Sequence, residues 1–291
     1  MYPSRFRYEA PRTLEEAIAV LAAGEGEAKV LAGGQSLVPM MKLRFANPAL
    51  LVDINNLPGL DYHRTDADGT LRVGALCRHA TIEHSELVAS TQPTMAAAAH
   101  LVADPIVRNR GTFVGSLCHA DPQGDWAAVL TALDGSVVAQ GPGGRRTLGI
   151  RDFVVGPFQT AMSYDEARGR GRRAPAQGAR AGGYLKLERR VGDFATAGCA
   201  VALETQGGQV NKAGIAPHRR RQLHHRRRRG RQSLVGQALT AESIARAAEL
   251  AAAAARPNAD HRGSAAYKRR IVGTFVTRIL TRIAGSTERA A

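Results

Sequence analysis

Two adjacent glycines between apolar runs, Gly33-Gly34, constrain this chain more than any other feature. They follow the short apolar segment Lys29-Val30-Leu31, inside the stretch Leu31-Ala32-Gly33-Gly34-Gln35-Ser36-Leu37, which runs on into Val38-Pro39-Met40-Met41-Lys42-Leu43-Arg44. A Gly-Gly pair turns the backbone sharply and lets it approach a neighbour more closely than any Cβ permits. Successive unpaired N–H groups there, with the Ser36 hydroxyl and the Gln35 amide beside them, form a cup of donors suited to an anion such as a diphosphate. A plain turn between two elements is the competing reading of the same residues.

With 291 residues, 44% of them hydrophobic, the chain buries a substantial core and is expected to divide into two or three small domains. Its opening residues, Met1 to Tyr8, carry charge and no apolar signal core, and nowhere do about 18 uncharged apolar residues run together. A cytoplasmic protein without a membrane span is expected. Cys77, Cys118 and Cys199 lie far apart, so no disulfide framework, no C-x-x-C and no zinc or iron–sulfur ligand set is expected in this chain. The net charge of +15 points at first to nucleic acid, yet thirteen arginines in two windows nearly account for it. With no basic face spread over a folded motif and an aromatic content of 5%, no nucleic-acid platform is expected.

Along the chain, Thr13-Leu14-Glu15-Glu16 has the form of a capping box for a helix that Gly24 ends. Strands are expected at Ala28 to Ala32, Leu50 to Ile54 and Thr70 to Ala75, and helices at Thr81 to Ser90 and Pro93 to Ala103. A second glycine stretch follows, Arg110-Gly111-Thr112-Phe113-Val114-Gly115-Ser116-Leu117, and reads as a second donor loop facing the same ligand. Asp125 caps an apolar helix, Trp126 to Leu133, before a hairpin of Ser136 to Gln140 and Arg145 to Ile150. The last third reads as strands at Tyr184 to Arg190, Thr196 to Glu204 and Val210 to Ala216, then helices at Glu242 to Ala255 and Ser264 to Ile283, an α+β pattern. A phosphate-binding P-loop and a dinucleotide G-x-G-x-x-G between strand and helix are both absent.

Taken together, Ala32-Gly33-Gly34-Gln35-Ser36-Leu37 with Pro39, Met41, Lys42 and Arg44, then Arg110-Gly111-Thr112 with Gly115-Ser116, then Ala120-Asp121-Pro122 and Asp125, resemble the FAD-binding medium subunits of the molybdenum hydroxylases, most closely the aerobic carbon monoxide dehydrogenase branch. The resemblance implies a vanillyl-alcohol-oxidase-type FAD-binding fold of two αβ subdomains, residues 1–57 and 58–175, and a C-terminal α+β domain, residues 176–291, of antiparallel sheet with helices. It implies that Ala32, Gly33, Gly34, Gln35, Ser36 and Leu37 and, across the cleft, Gly111, Thr112, Phe113, Val114, Gly115 and Ser116 hold the FAD diphosphate and ribityl chain. Asp125 matches an acidic position close to the cofactor, and Lys186 and Asp193 match a C-terminal segment that approaches the isoalloxazine. Their plainer reading is a solvated strand face and turn.

No catalytic acid–base pair and no metal ligand is implied, because a flavin needs from its protein only binding, orientation and electrostatics. The implied partners are an iron–sulfur small subunit carrying [2Fe-2S] clusters and a molybdenum large subunit, in a dimer of heterotrimers. Electrons then pass through FAD to a quinone or another acceptor, which leaves room for peripheral association at the inner face of the cytoplasmic membrane. Substrate choice belongs to the molybdenum subunit, so a flavin subunit for a purine, an N-heterocycle or an aryl-CoA hydroxylase shares this reading. A polyanion-binding protein using the arginines and a flavin-free assembly subunit are the rivals from other classes.

Two departures stand out. Val114 occupies a place where the family usually has a glycine, and a residue there with φ above zero would be strained. The windows Ala167 to Arg180 and His218 to Gln232 replace apolar family residues with arginine runs whose like charges repel and have no face to dock. Arginine, glycine and alanine codons dominate misread frames of a GC-rich gene, so both windows read as local reading-frame slips. Tryptic peptide mass spectrometry across them should return peptides of another frame, and recovery of the written arginine runs would sink that reading.

Overall fold

The computed structural model describes residues 2–167, 171–172, 178–218 and 233–288. Most of both arginine windows therefore lies outside the described residues. The chain opens with β1 (Arg7–Glu9), α1 (Leu14–Ala23), β2 (Ala28–Leu31), α2 (Leu37–Lys42) and β3 (Leu50–Asp53). The Thr13 hydroxyl accepts from Glu16 N–H and the Glu16 carboxylate accepts from Thr13 N–H, the reciprocal capping that the sequence predicts, and Gly24 ends the helix. Ala17, Ile18 and Leu21 on one face of α1 pack on Leu50, Val52 and Ile54. The three strands form a parallel sheet in the order β1-β3-β2. Parallel pairing puts the segments after β2 and β3 at the same sheet edge, where a ligand crevice lies in open α/β sheets.

The middle of the chain supplies β4 (His63–Thr65), β5 (Leu71–Val73), α3 (His79–Glu83), α4 (Glu86–Thr91), α5 (Pro93–Ala99), α6 (Pro105–Arg110), α7 (Phe113–His119), α8 (Asp125–Ala132), β6 (Ser136–Gly141), β7 (Gly144–Gly149), α9 (Ile150–Phe153), β8 (Val154–Gly156), β9 (Gln159–Thr160) and β10 (Gly171–Arg172). Its five-stranded sheet is antiparallel, ordered β4-β5-β10-β6-β7. The helix expected over 81–90 is two, because the Ser85 hydroxyl accepts from Val88 N–H and starts a new helix. The helix expected over 93–103 stops at Ala99, and Ala103 takes a left-handed φ of 48° ahead of Asp104.

The last part holds β11 (Ala179–Leu187), β12 (Ala197–Gln206) and β13 (Gln209–Pro217), antiparallel in that order, then α10 (Ala241–Ala254) and α11 (Ala265–Glu288). Strand β12 is buried on both faces because the sheet is covered twice. Cys199, Val201 and Leu203 face α10 and α11 through Ala247, Phe275, Val276 and Leu280. Ala200, Ala202 and Ala216 join the core of the middle helices. Small residues on that side let the helices come close. The Thr94 hydroxyl of α5 donates to the Val201 carbonyl at 2.8 Å, and a Cβ on Gly214 would stand 1.8 Å from the Ala132 carbonyl oxygen of α8. This is the α+β arrangement expected, with the C-terminal sheet bolted to the middle helices.

A methyl at Gly214 has no room unless α8 lifts off β13, whereas a Cβ on Gly143 meets nothing within 4 Å. Gly214→Ala should therefore lower stability by about 1–3 kcal/mol. Gly143→Ala should be near neutral, and denaturant unfolding of the two variants measures the difference.

Candidate cofactor cleft

Beyond β2 the backbone passes through Ala32 and Gly33 to Gly34, whose left-handed φ of 72° favours glycine. A Cβ on Gly33 would lie 2.4 Å from the Arg110 carbonyl oxygen and 2.7 Å from Gly111 Cα. The two glycine stretches that the sequence singles out thus touch, backbone to backbone. Arg78 ties them: its guanidinium donates to the Arg110 carbonyl and, at 2.7 Å, to Asn55 Oδ1. Asn55 in turn donates to the Ala32 carbonyl at 2.8 Å and Gln35 to the Gly33 carbonyl at 3.3 Å. With the carbonyls of Ala32 and Gly33 engaged from one side, the loop leads into α2 through Ser36, whose hydroxyl makes no capping bond, and Leu37.

Charge favours an anion here. Burial and then the neighbouring Arg110 charge push the Arg78 guanidinium below its ordinary pKa, with Asp61 and Asp53 partly restoring it. Two guanidiniums held close beside a glycine turn make a positive region at the edge of the parallel sheet. This donor set fits a diphosphate such as that of FAD.

The second stretch departs from the loop that its glycines suggest. Gly111 ends α6, donating to the Val107 carbonyl at 2.7 Å. Thr112 then caps α7, its hydroxyl accepting from Gly115 N–H at 3.1 Å, so these two groups satisfy one another. Phe113 and Val114 point into the core, Phe113 edge-on to Trp126 at 5.0 Å between centroids. Val114 sits in the first turn of a right-handed helix, so the strain feared at this position does not arise. The N–H groups of Gly111, Phe113, Gly115 and Ser116 are all donated within the chain, so this stretch contributes to the cleft through its close backbone and the Ser116 hydroxyl more than through free N–H donors. Its position is braced by His79, whose ring would collide with any Cβ on Gly111. His79 Nδ1 accepts from Trp126 Nε1–H at 3.0 Å, and burial, aided by Arg108 and Arg78, holds the imidazole neutral with a pKa of about 4.

Asp125, Lys186 and Asp193 form a second cluster. Asp125 is the first residue of α8, one position inside the cap expected of it, which Gly124 occupies. The Lys186 side chain is 1% exposed, with its ammonium 3.5 Å from Asp125 Oδ2 and 3.1 Å from Glu188 Oε2. It also donates to the carbonyls of Leu101 and, at 3.1 Å, Asp193. Lys186 is therefore no solvated strand residue. Its donors are taken up by the chain's own acceptors, and its influence on a neighbour is a field more than a hydrogen bond. The Asp193 carboxylate accepts from Phe194 N–H at 2.8 Å and lies near Arg262 and Arg189, a set of bonds and charges that holds its pKa below the ordinary value against the opposing effect of desolvation. Tyr184 and His218, which no motif marks, complete the cluster by contact with Asp125. Among the described residues no group of three or more His, Cys, Asp or Glu is placed to hold a metal ion, and Cys77, Cys118 and Cys199 form no disulfide.

Comparison with known proteins gives the family of the chain. Residues 4–167 match the FAD binding domain in molybdopterin dehydrogenase and residues 183–283 the CO dehydrogenase flavoprotein C-terminal domain. The chain is 41% identical over 281 residues to the carbon monoxide dehydrogenase medium chain of Hydrogenophaga pseudoflava, covering 96% of this chain and 97% of that one. It is 36% identical to the nicotine 6-hydroxylase medium subunit of Paenarthrobacter nicotinovorans, covering 97% and 98%. Its structure superposes on that of carbon monoxide dehydrogenase from Hydrogenophaga pseudoflava with a TM-score of 0.88 at 39% identity, covering 97% of this chain and 98% of that chain.

The contact at Gly33 is the most sensitive point of the cleft, because backbone lies on both sides of it. Gly33→Ala should force the two glycine stretches apart, cost about 1–3 kcal/mol of stability, and lower FAD retention in the purified assembly. Flavin released per subunit, measured by fluorescence, checks this, and wild-type retention would show that the two stretches do not share the ligand.

Proposed function

The chain belongs to the FAD-binding medium subunits of the molybdopterin dehydrogenases, and on that premise we propose that it is the flavoprotein subunit of a molybdenum-containing carbon monoxide dehydrogenase. FAD, when bound, supplies a redox group that exchanges electrons singly or in pairs. The chain's residues bind and orient it. In this reading Ala32 to Leu37 and Gly111 to Ser116 enclose the diphosphate and ribityl chain, while Arg78 and Arg110 supply positive charge beside them. Asp125, Lys186 and Asp193 border the ring. Phe113 and Val114 support that stretch from behind, their side chains filling the core.

The observation that carries this reading is the seat of Gly33 on Arg110 and Gly111, which brings two separate glycine stretches to one place at the carboxyl edge of the parallel sheet. The proposed division at residues 57 and 175 is supported by the sheets, each of which, among the described residues, lies on one side of those points. Electrons reach the flavin from an iron–sulfur small subunit, leave to a quinone or another external acceptor, and originate at a molybdenum large subunit, in a dimer of heterotrimers. No described helix is long and apolar enough to cross a membrane, so contact with a membrane-borne acceptor would be peripheral, from the cytoplasmic side. The likeness to the nicotine 6-hydroxylase medium subunit supports a second reading, a flavin subunit for an N-heterocycle hydroxylase.

The visible spectrum of the purified assembly, prepared with and without this chain, tests the proposal. A flavin band that appears only with the chain present, and that bleaches on anaerobic addition of carbon monoxide, is the expected result. Bleaching by an N-heterocycle and not by carbon monoxide would favour the second reading, and an assembly without flavin would overturn both.

A further inference from the structure

The cluster around Lys186 contains two side chains that the cofactor reading does not use. The Tyr184 hydroxyl lies between Asp125 Oδ1 and His218 Nε2. A carboxylate only accepts, so the hydroxyl proton points to Asp125. The Tyr184 oxygen must then accept from His218 Nε2–H. In the neutral imidazole that choice leaves His218 Nδ1 as an acceptor, buried with no hydrogen-bond partner among the described residues. Burial favours the neutral imidazole and Lys186 adds to that, while Asp125 and Asp121 oppose it. The direction of every hydrogen bond from His218 to Lys186 is thus determined. His218 donates to Tyr184, Tyr184 donates to Asp125, and the other oxygen of Asp125 faces the Lys186 ammonium at 3.5 Å.

The row spans two layers of the fold. Asp125 opens α8, Tyr184 and Lys186 sit on β11, and His218 follows β13. In the register Lys186 lies opposite Gly198, and His218 occupies the space that a Cβ on Gly198 would fill. Among the described residues, the other charged groups near this row are these. Glu188 lies 3.1 Å from Lys186, Asp121 is within Coulomb reach of His218, and in the cavity beside His218 Lys268 and Asp260 are paired with each other at 2.6 Å. A neutral imidazole here leaves one ammonium facing two carboxylates.

We propose that Tyr184 and His218 are positioning residues for the flavin: together they hold the Asp125 carboxylate against Lys186 and so set the charge that the cofactor experiences. This rests on the reading that Lys186 and Asp125 border the cofactor. Neither Tyr184 nor His218 needs to touch FAD. Without the tyrosine hydroxyl, Asp125 loses its second anchor and His218 faces a carboxylate directly at 3.6 Å, an arrangement that favours the charged imidazolium.

The test is the flavin midpoint potential as a function of pH, in the complex assembled with its partner subunits. Asp125→Asn removes one negative charge beside the cofactor and should raise the potential. Tyr184→Phe should shift it the same way and make it vary with pH as His218 gains a proton facing Asp125, a dependence absent from the wild type. His218→Gln keeps an N–H for the tyrosine oxygen and should match the wild type, while His218→Leu should shift the potential toward that of Tyr184→Phe. If Asp125→Asn shifts the potential and neither Tyr184→Phe nor His218→Leu does, the positioning role is overturned. If Asp125→Asn leaves it unmoved, the placement of this cluster beside the flavin has failed. Should Tyr184→Phe not fold, the pair of His218 variants decides between the same outcomes.

Discussion

One contact without room for a carbon atom governs the architecture. Gly33 rests on the carbonyl of Arg110 and the Cα of Gly111, so the parallel sheet and the middle helices meet at a spacing set by backbone alone. Side chains then lock that spacing. Arg78 reaches from the segment before α3 to both sides of the contact, and Asn55 extends the link to the Ala32 carbonyl. Holding Arg78 half-buried beside Arg110 opposes its charge, and nearby Asp53 and Asp61 offset this only in part. A protein that keeps two like charges together at a glycine turn stores an affinity for whatever anion comes between them.

The C-terminal sheet is held by a different kind of constraint. On its outer side large apolar residues of α10 and α11 fill the space, as in any helix-on-sheet core. On its inner side alanines and glycines bring α5 and α8 so close that little apolar volume remains, and buried polar contacts replace it. Thr94 on Val201, Tyr184 on Asp125 and Lys186 on Leu101 all cross this inner face. Each is a group that costs free energy if left unpaired, so the face tolerates only one alignment of helices and sheet. Apolar packing alone would allow sliding there. The polar contacts specify the register, and the orientation of Asp125 and Lys186 follows from it.

Much of this was legible in the sequence where a local rule applied. The capping box at Thr13, the Gly24 stop and most strands follow from neighbours a few residues apart. The two glycine stretches were legible as partners of one ligand because each departs from ordinary element composition. Arg78, Asn55, Tyr184 and His218 were not. Each is a single polar residue whose role depends on a contact 20 or more residues away, and no spacing marks it. For Asn55 a signal did exist, since a polar residue just beyond a buried parallel strand stands where crevices form. Tyr184 lay in a strand read as half-solvated, and only the second covering layer reveals it as buried.

The error made over Gly111 to Gly115 has a physical lesson of its own. Glycine marks two opposite things, a backbone that must bend and a backbone that must be approached. In the first stretch both hold, since Gly34 has a positive φ and Gly33 has no space. In the second only approach matters: Gly111 yields room to His79, and Gly115 lies inside a helix where a Cβ would meet the Thr112 hydroxyl at 2.6 Å. A helical position between them asks nothing of φ. Val114 can therefore stand where the family resemblance leads one to expect glycine, with its side chain turned into the core.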